Sequence, residues 1–579
     1  MADDHEIRVR PGRIRSTRAQ SARPFIAQAL AAAKKAGGGI SRAGRIVAAN
    51  RSRFGRGQRA SIQANRLITA RTRGAVIKAR VVRHSGRTAP LGTHLDYLRR
   101  DGVTRDGERT RLFGPGTAEA DGRAFAEQCE DDRHHFRFIV SPDDAVEISD
   151  LKSFTRDLVG QMEKDLDTRL DWVAVDHWNT GHPHVHLLVR GVRDDGQDLV
   201  ISRDYIKEGM RDRARDLITQ ELGPRTDLDI RRALESQIEA ERWTQLDRQL
   251  VRDSSKPGII DLAPSTDRQP DEFHALKVGR LRKLEVLGVA GQVGPGQWFI
   301  KPEAETVLRE LGERGDIIKR MHRALTERGI ERGSGNYVLA SESLDVPVIG
   351  RLIERGLDDE LKGTAYAVVD GVDGRTHHIR LPHLDAAGDS APGSIVELRT
   401  FEDARSERRV ALAVRSDLDL QHQVNASGAT WLDRQSIARE PVAMSDGGFG
   451  AEVREAMRRR AEHLVREGLA EQQGRRVVFS RNLIDTLRRR EVDAAAEKLA
   501  KETGQPFKRV GHGEYVAGTY RQRMTLASGR FAMIDDGLGF QLVPWSPSLE
   551  SQLGKHVSGV ARGDGGVDWS LGRKRGLGL

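Results

Sequence analysis

The sequence has a single cysteine and no long apolar segment. Cys129 is the only cysteine among the 579 residues. This excludes an intramolecular disulfide framework and a zinc site built on paired cysteines. No apolar run approaches the length of a membrane span, and no hydrophobic signal core follows the charged N-terminus. We therefore expect a soluble, cytoplasmic protein without membrane insertion, and the length predicts three or four domains.

Acidic residues are scarce at the N-terminus. Residues 1–80 carry nineteen Lys and Arg against three acids, and the whole chain has a formal net charge of +10. A segment this rich in Arg, Ala, Gly and Ser cannot bury a core of its own, and its charge attracts phosphate backbones. We expect residues 1–74 to form a basic, largely disordered arm that binds an acidic partner such as DNA.

Histidines, in contrast, are concentrated in one place. Residues 171–176 and 185–189 are apolar, β-branched runs separated by turn formers, which predicts an antiparallel hairpin. His184 and His186 share one face of the second strand because side chains alternate, and His177 can add a third imidazole from the first strand. Three neutral imidazoles bind one divalent ion and leave positions open for substrate, as Lewis-acid catalysis requires. The four histidines are His177, His182, His184 and His186.

Two neighbours of these ligands are candidates for supporting roles. Pro183 fixes the backbone beside His182, which favours a substrate-facing or supporting role for that histidine over direct coordination. Asp176 can orient an imidazole from outside the ligand set, although an ordinary strand-end carboxylate is the alternative. Imidazoles favour Mn²⁺ or Zn²⁺ over Mg²⁺, and the choice of metal stays open.

Tyr97 is the only tyrosine that precedes the histidines. It lies on a predicted helix next to Arg99 and Arg100, which are candidates for DNA contact. A tyrosine oxygen that attacks phosphorus forms a phosphotyrosyl ester, which stores the phosphodiester energy for resealing. The alternative is a ring that packs against the sheet. Asp96 is a weak general-base candidate, because it faces a different side of the helix.

The order of predicted elements indicates an α+β fold, with an antiparallel sheet covered by helices in the catalytic domain. C-terminal to this domain the sequence contains an internal repeat: residues 284–290 align with residues 464–470 at an offset of 180 residues. The pattern around each copy predicts a helix, a β-hairpin and a second helix. That order is typical of winged-helix units, with duplicated scaffolding as the alternative. The expected domains are the arm 1–74, the catalytic domain 75–253, a linker 254–271, a first repeat 272–345, a small β-barrel 346–445, a second repeat 446–505, and a β-rich segment with a basic tail 506–579.

Three motifs in this order resemble the conjugative relaxases of the HUH endonuclease superfamily, most nearly the VirD-type mobilisation nucleases. They are residues 94–102 (HLDYLRRDG), 134–142 (HHFRFIVSP) and 177–186 (HWNTGHPHVH). In that family the tyrosine precedes the histidines, whereas replication initiators of the superfamily have the reverse order. The resemblance covers about residues 75–225, and the region after about 255 resembles an uncharacterised domain that often follows such nucleases.

The resemblance implies Tyr97 as the nucleophile, and His177, His184 and His186 as ligands of one divalent ion, Mn²⁺, Mg²⁺ or Zn²⁺. Asn179 departs from the pattern, because the family often has Asp there. His134 or His135 can contact the scissile phosphate or the DNA strand, but adjacent strand residues face opposite ways, so only one of them can face the site.

The expected function is therefore nicking and resealing of one DNA strand at the transfer origin of a plasmid or integrative element, through a covalent 5′-phosphotyrosyl intermediate. The resemblance implies single-stranded or supercoiled origin DNA, relaxosome accessory proteins, a type IV coupling protein and a secretion channel as partners, with transport into a recipient cell. A rolling-circle replication initiator is one alternative. A non-enzymatic DNA-binding accessory protein, which would bind without cleavage, is the other.

Overall fold

The computed structural model divides into two compact units. The first comprises Met1–Arg320 together with Asp359–Gly363, and the second comprises Met321–Asp358 and Thr364–Leu579. Residues described are 39–40, 46–47, 71–84, 91–99, 110–178, 182–254, 258–263, 273–340, 348–402, 408–563 and 566–570. Most of the predicted basic arm and the basic end at 571–579 lie outside them. Within these ranges, no helix is long and apolar enough to cross a membrane.

A four-stranded antiparallel sheet forms the centre of the first unit, in the order β3–β4–β6–β5. Its apolar residues alternate along the strands, so that Phe136, Phe138 and Val140 all point to one face. The strands of this unit up to that sheet are β1 (Gly39–Ile40), β2 (Ile46–Val47), β3 (Ala75–Arg83), β4 (His134–Pro142), β5 (Trp172–His177) and β6 (His184–Arg190).

Helices cover both faces of this sheet. Leu158 and Ile218 lie in the core cluster on the Phe138 face, while Leu95 and Phe125 pack on the opposite face with Leu188. The antiparallel sheet between helices confirms the predicted α+β fold. The helices are α1 (Leu91–Leu98), α2 (Gly122–Gln128), α3 (Leu151–Leu166), α4 (Met210–Leu222, after a π-helical turn Tyr205–Gly209), α5 (Asp227–Ile238) and α6 (Gln245–Asp253).

The first predicted repeat has the expected order of helix, hairpin and helix. A third short strand extends its hairpin, and Leu281, Trp298 and Leu308 form the core. The elements are β7 (Ile259–Asp261), α7 (His274–Val286), β8 (Ala290–Gly294), β9 (Gln297–Ile300) and α8 (Ala304–Thr326).

The region predicted as a small β-barrel is instead an open six-stranded sheet. Its order is β10–β13–β12–β11–β14–β15, so in the described part of the chain β10 and β15 are edges that do not pair with each other, and the barrel prediction is wrong. The strands are β10 (Tyr337–Ala340), β11 (Ile349–Asp359), β12 (Thr364–Gly371), β13 (Thr376–Leu381), β14 (Ile395–Glu402) and β15 (Arg408–Ser416).

The second repeat and a five-stranded sheet follow. The sheet has the order β20–β19–β18–β21–β22 and buries Val516, Tyr520 and Ile534. The helices are α9 (Leu420–Asn425), α10 (Trp431–Ile437), α11 (Gly448–Arg466) and α12 (Leu483–Thr503). The strands are β16 (Ala470–Gln473), β17 (Arg476–Phe479), β18 (Tyr515–Leu526), β19 (Gly529–Asp535), β20 (Phe540–Pro544), β21 (His556–Ala561) and β22 (Val567–Trp569).

A fully buried ion pair extends the first repeat upstream of the predicted linker. Arg280 on α7 donates from Nε and Nη2 to the two carboxylate oxygens of Asp247, at 2.7 and 2.8 Å, and both side chains are 0% exposed. Asp247 also closes a capping box with Thr244 at the start of α6. The same guanidinium donates to the backbone carbonyls of Ile238, Ala240 and Arg242.

The second repeat contains the same arrangement. Arg460 on α11 donates to both carboxylate oxygens of Asp433, at 2.9 and 3.0 Å, and Asp433 closes a capping box with Thr430. Arg460 lies 180 residues after Arg280, which is the predicted offset. Its remaining N–H groups donate to the carbonyls of Val424, Ala426 and Gly428. Each copy therefore contains a capped helix before the helix, hairpin and helix detected in the sequence.

Candidate metal centre

The three predicted ligand histidines converge on one face of the sheet. His177 ends β5 and pairs directly with His184, the first residue of β6, and His186 follows two residues later on the same face. The ring centroids of His177 and His186 are 4.5 Å apart, and those of His184 and His186 are 4.9 Å apart. One nitrogen from each ring and one carboxylate oxygen of Glu360 all lie within 4.8 Å of one another.

Backbone carbonyls orient two of these rings. His177 donates from Nε2 to the carbonyl oxygen of Leu98 at 2.9 Å, so its neutral ring keeps the lone pair on Nδ1. His184 donates from Nδ1 to the carbonyl of His182 at 3.0 Å, which keeps the lone pair on Nε2. That Nε2 lies 3.1 Å from Nε2 of His186. Fixed lone pairs on converging nitrogens suit a divalent cation, and the donor set therefore fits the metal expected from the sequence.

The two residues considered for supporting roles lie apart from the ring nitrogens. Asp176 pairs with Val185 and so faces the opposite side of the sheet. There its carboxylate accepts a hydrogen bond from Trp178 Nε1 at 2.7 Å and lies 3.9 Å from Lys152 Nζ. The structure thus does not bring Asp176 to an imidazole. His182 is exposed and contributes its carbonyl rather than its ring to the contact with His184.

Glu360 is the site residue that the sequence did not suggest. It lies in the turn Asp359–Gly363, which belongs to the first unit. Its Oε2 is 3.0 Å from His186 Nε2 and 3.5 Å from His184 Nε2. Burial opposes ionisation, but when these two imidazoles carry protons on the nitrogens that face the carboxylate, they hold the pKa of the Glu360 carboxyl well below its usual range. No motif or periodicity links it to the histidines, so the sequence carries no signal for this contact.

The helix that carries Tyr97 packs on the histidine face. Leu95 and Leu98 of α1 lie in one core cluster with Val175 and Leu188 of the sheet, and Tyr97 packs half-buried against that cluster. The Leu98 carbonyl, in the last turn of α1, also accepts the hydrogen bond from His177 Nε2. This bond connects α1 directly to a candidate metal ligand.

Asp96, the polar residue directly before Tyr97, faces solvent. Asp96 is exposed and forms an ion pair with Arg99 three residues later. This placement agrees with the expectation that Asp96 and Tyr97 lie on different sides of the helix. Arg100 and Asn179 lie outside the described residues.

Of the adjacent pair His134 and His135, His135 shares the face of the ligand histidines. Ile139 pairs with His186, so alternation along β4 puts Arg137 and His135 on that face. His135 Nε2 accepts a hydrogen bond from Arg137 Nε at 3.0 Å, and His135 Nδ1 lies 2.6 Å from His84 Nε2. His134 is on the other side, with Nε2 3.0 Å from the carbonyl oxygen of Leu199.

Positive charge is concentrated beside the imidazoles. Arg80 of β3 pairs directly with Arg137 of β4 on this face. Burial and the nearby Arg80 lower the pKa of Arg137 to about 10, so the Arg137 guanidinium remains charged at neutral pH. Burial and Arg137 lower the pKa of His135 to about 3, so this ring is neutral. Two cations next to candidate metal ligands suit an anionic substrate such as a phosphodiester.

Two family models match this chain. Residues 117–223, which include all the candidate metal ligands on β5 and β6 but not Tyr97, match the relaxase model described as MobA/VirD2-like, nuclease domain. Residues 277–407 and 398–578 match the model described as protein of unknown function (DUF3363), and together these two stretches cover more than half of the chain. No curated protein matches, and no solved structure matches.

Proposed function

Since this chain belongs to the DUF3363 family and carries a MobA/VirD2-like relaxase nuclease domain, we propose that it nicks and reseals one strand of DNA at a transfer origin. A relaxase nuclease domain supports DNA nicking in general. The finer elements of the proposal are the tyrosine mechanism, the metal and the conjugative role.

One observation carries the proposal: the helix of Tyr97 packs on the same sheet face as His177, His184 and His186. A nucleophile, a candidate metal centre and a pair of arginines then border one surface, which is what strand transfer at a phosphodiester requires. A DNA-binding protein without nuclease activity has no need for this combination.

The chemistry follows from these groups. The phenolic oxygen of Tyr97 attacks phosphorus, a tyrosine–phosphate bond forms, and the bond from phosphorus to the 3′ oxygen breaks. The phenolic proton is balanced by the proton that the leaving 3′ oxygen acquires, so the products are a 5′-phosphotyrosyl end and a 3′ hydroxyl. Arg80 and Arg137 bind the anionic backbone. His177, His184 and His186 would hold the metal, each through one ring nitrogen. The bound ion, Mn²⁺, Mg²⁺ or Zn²⁺, supplies Lewis-acid stabilisation of the phosphate oxygens.

The wider role rests on the family. Strand transfer that conserves the phosphodiester energy suits mobilisation of a plasmid or integrative element, in which the nicked strand must be closed again. Relaxosome accessory proteins, a type IV coupling protein and a secretion channel are the partners that such a role entails.

The test is covalent capture. The full chain is incubated with single-stranded origin DNA and Mn²⁺, and adducts are resolved on a denaturing gel. Tyr97→Phe should abolish the covalent band while DNA binding persists, because only the nucleophilic oxygen is lost. Tyr205→Phe is the matched control, since that hydroxyl donates to Asp165 at 2.9 Å and has no proposed role in cleavage. An adduct that persists in Tyr97→Phe refutes the mechanism.

A further inference from the structure

We propose that Glu360 is a fourth protein ligand of the same metal ion, in addition to the three histidines; this inference rests on the metal centre of the proposed function. The two matched regions of the chain then both contribute to the centre, because Glu360 falls within residues 277–407 and the histidines within residues 117–223. Nothing in the nuclease motif itself includes this carboxylate.

The distances among the donor atoms of His184, His186 and Glu360 suit one ion. Ligands about 2.0–2.2 Å from a metal lie roughly 2.9–3.6 Å from one another in octahedral or tetrahedral geometry. Glu360 Oε2 is 3.0 Å from His186 Nε2 and 3.5 Å from His184 Nε2, and the two imidazole nitrogens are 3.1 Å apart. All three separations fall in that range. The Glu360 side chain is only 20% exposed, so it is directed into the site rather than into solvent.

The turn holds Glu360 in place through contacts that do not involve its carboxylate. Asp359 accepts hydrogen bonds from the backbone N–H groups of Leu361 and Lys362, at 3.0 and 2.9 Å. Gly363, with a φ of 73°, closes the turn by donating to the carbonyl of Asp359 at 2.7 Å. Arg80 Nη1 donates to the Leu361 carbonyl at 3.3 Å. Because these contacts fix the backbone, a substitution of the Glu360 side chain alone leaves the turn intact.

A carboxylate changes which ion the centre prefers. Three neutral imidazoles form a set that suits zinc, whereas a charged oxygen ligand suits harder ions such as Mn²⁺ and Mg²⁺. Glu360 therefore raises the affinity for Mn²⁺ more than the affinity for Zn²⁺.

The experiment measures metal binding to the full chain without DNA. Mn²⁺ and Zn²⁺ affinities are determined by calorimetric titration for the unaltered chain, Glu360→Gln, Glu360→Ala, His184→Ala and the exposed-site control Glu130→Gln. Both Glu360 variants should bind Mn²⁺ roughly tenfold or more weakly, with a smaller loss for Zn²⁺. Glu130→Gln should bind as the unaltered chain does, and His184→Ala should lose most of the affinity for both ions.

The outcomes separate this inference from the function on which it rests. Unchanged Mn²⁺ affinity in both Glu360 variants, with binding lost in His184→Ala, overturns the fourth ligand and keeps the histidine centre. Unchanged affinity in His184→Ala overturns the centre itself. Equal losses in Glu130→Gln and Glu360→Gln identify a general charge effect and also overturn the proposal. Equal thermal unfolding midpoints of the metal-free proteins establish that the variants fold alike.

Discussion

The buried pair Arg280–Asp247 should carry much of the stability of the first repeat, and Arg280→Met tests this. The substitution removes five hydrogen bonds and leaves the Asp247 carboxylate without its counter-ion at a position that is 0% exposed. Loss of one partner of a buried pair costs about 3–5 kcal/mol, because an uncompensated charge stays in a low-dielectric core. The expected decrease in the free energy of unfolding is therefore in that range.

The assay is urea denaturation of the full chain, followed by the fluorescence of tryptophans such as Trp298, which is buried in the same repeat. Lys283→Met is the control on the same helix, because the pairing of Lys283 is with the exposed Glu239 and Glu241 and contributes at most about 1 kcal/mol. Replacing Arg280 and Asp247 together by Met and Leu should cost less than Arg280→Met alone, since no buried charge is left. An Arg280→Met cost no larger than that of Lys283→Met would refute the reasoning.

Three further substitutions follow from the nuclease sheet. The pKa of His135 is lowered to about 3 in the folded chain, so below about pH 6.5 the folded chain binds fewer protons than the unfolded chain. The free energy of unfolding therefore decreases as the pH falls below about 6.5, by up to ~1.4 kcal/mol per pH unit. His135→Asn should therefore make the decline between pH 7 and 5 shallower in urea midpoints, and an identical slope would contradict the assignment. Arg137→Met should weaken binding to single-stranded DNA and reduce the slope of log affinity against log salt by roughly 1, as measured by anisotropy; an unchanged slope would exclude Arg137 from the DNA contact. Gly191→Ala should lower the free energy of unfolding by about 1–3 kcal/mol, because the added Cβ would lie 1.9 Å from the His134 carbonyl oxygen. Gly160→Ala is the control, because no atom lies within 4 Å of its added Cβ, and it should not lower the free energy of unfolding. Equal urea midpoints for the two variants would refute the clash.

The hairpin that carries the candidate ligand histidines was predictable, because it depends on the alternation of side chains along two strands that are neighbours in the sequence. The runs on either side of the turn formers specify a hairpin, and its register brings His177 opposite His184. The same alternation applies to Asp176, which must face away from His177, its neighbour on the strand; the proposed orienting acid conflicts with that rule. Glu360 was not predictable, because its contact joins residues far apart in sequence and depends on tertiary packing.

Long-range pairing also explains the error in the central sheet. Alternation predicts strands and turns, but whether a sheet closes depends on its two edge strands, and β10 and β15 pair with other neighbours. The repeat was detected through the alignment of residues 284–290 with residues 464–470, which does not include the buried arginines. Its buried Arg280 and Arg460 are charged residues on helices, which a hydrophobic pattern counts as surface positions.

If His177 binds the proposed metal ion, its hydrogen bond to the Leu98 carbonyl links metal binding thermodynamically to the docking of helix α1 on the sheet. An ion bound through Nδ1 would require the tautomer in which Nδ1 is unprotonated, and the hydrogen bond from Nε2 to the Leu98 carbonyl favours that tautomer. A coupling between two equilibria is reciprocal: if the docked helix strengthens ion binding by a given free energy, ion binding stabilises the docked helix by the same free energy. Chelation should therefore loosen the segment that holds Tyr97 before it loosens the sheet, and amide hydrogen exchange of residues 91–99 should rise first as the ion is withdrawn.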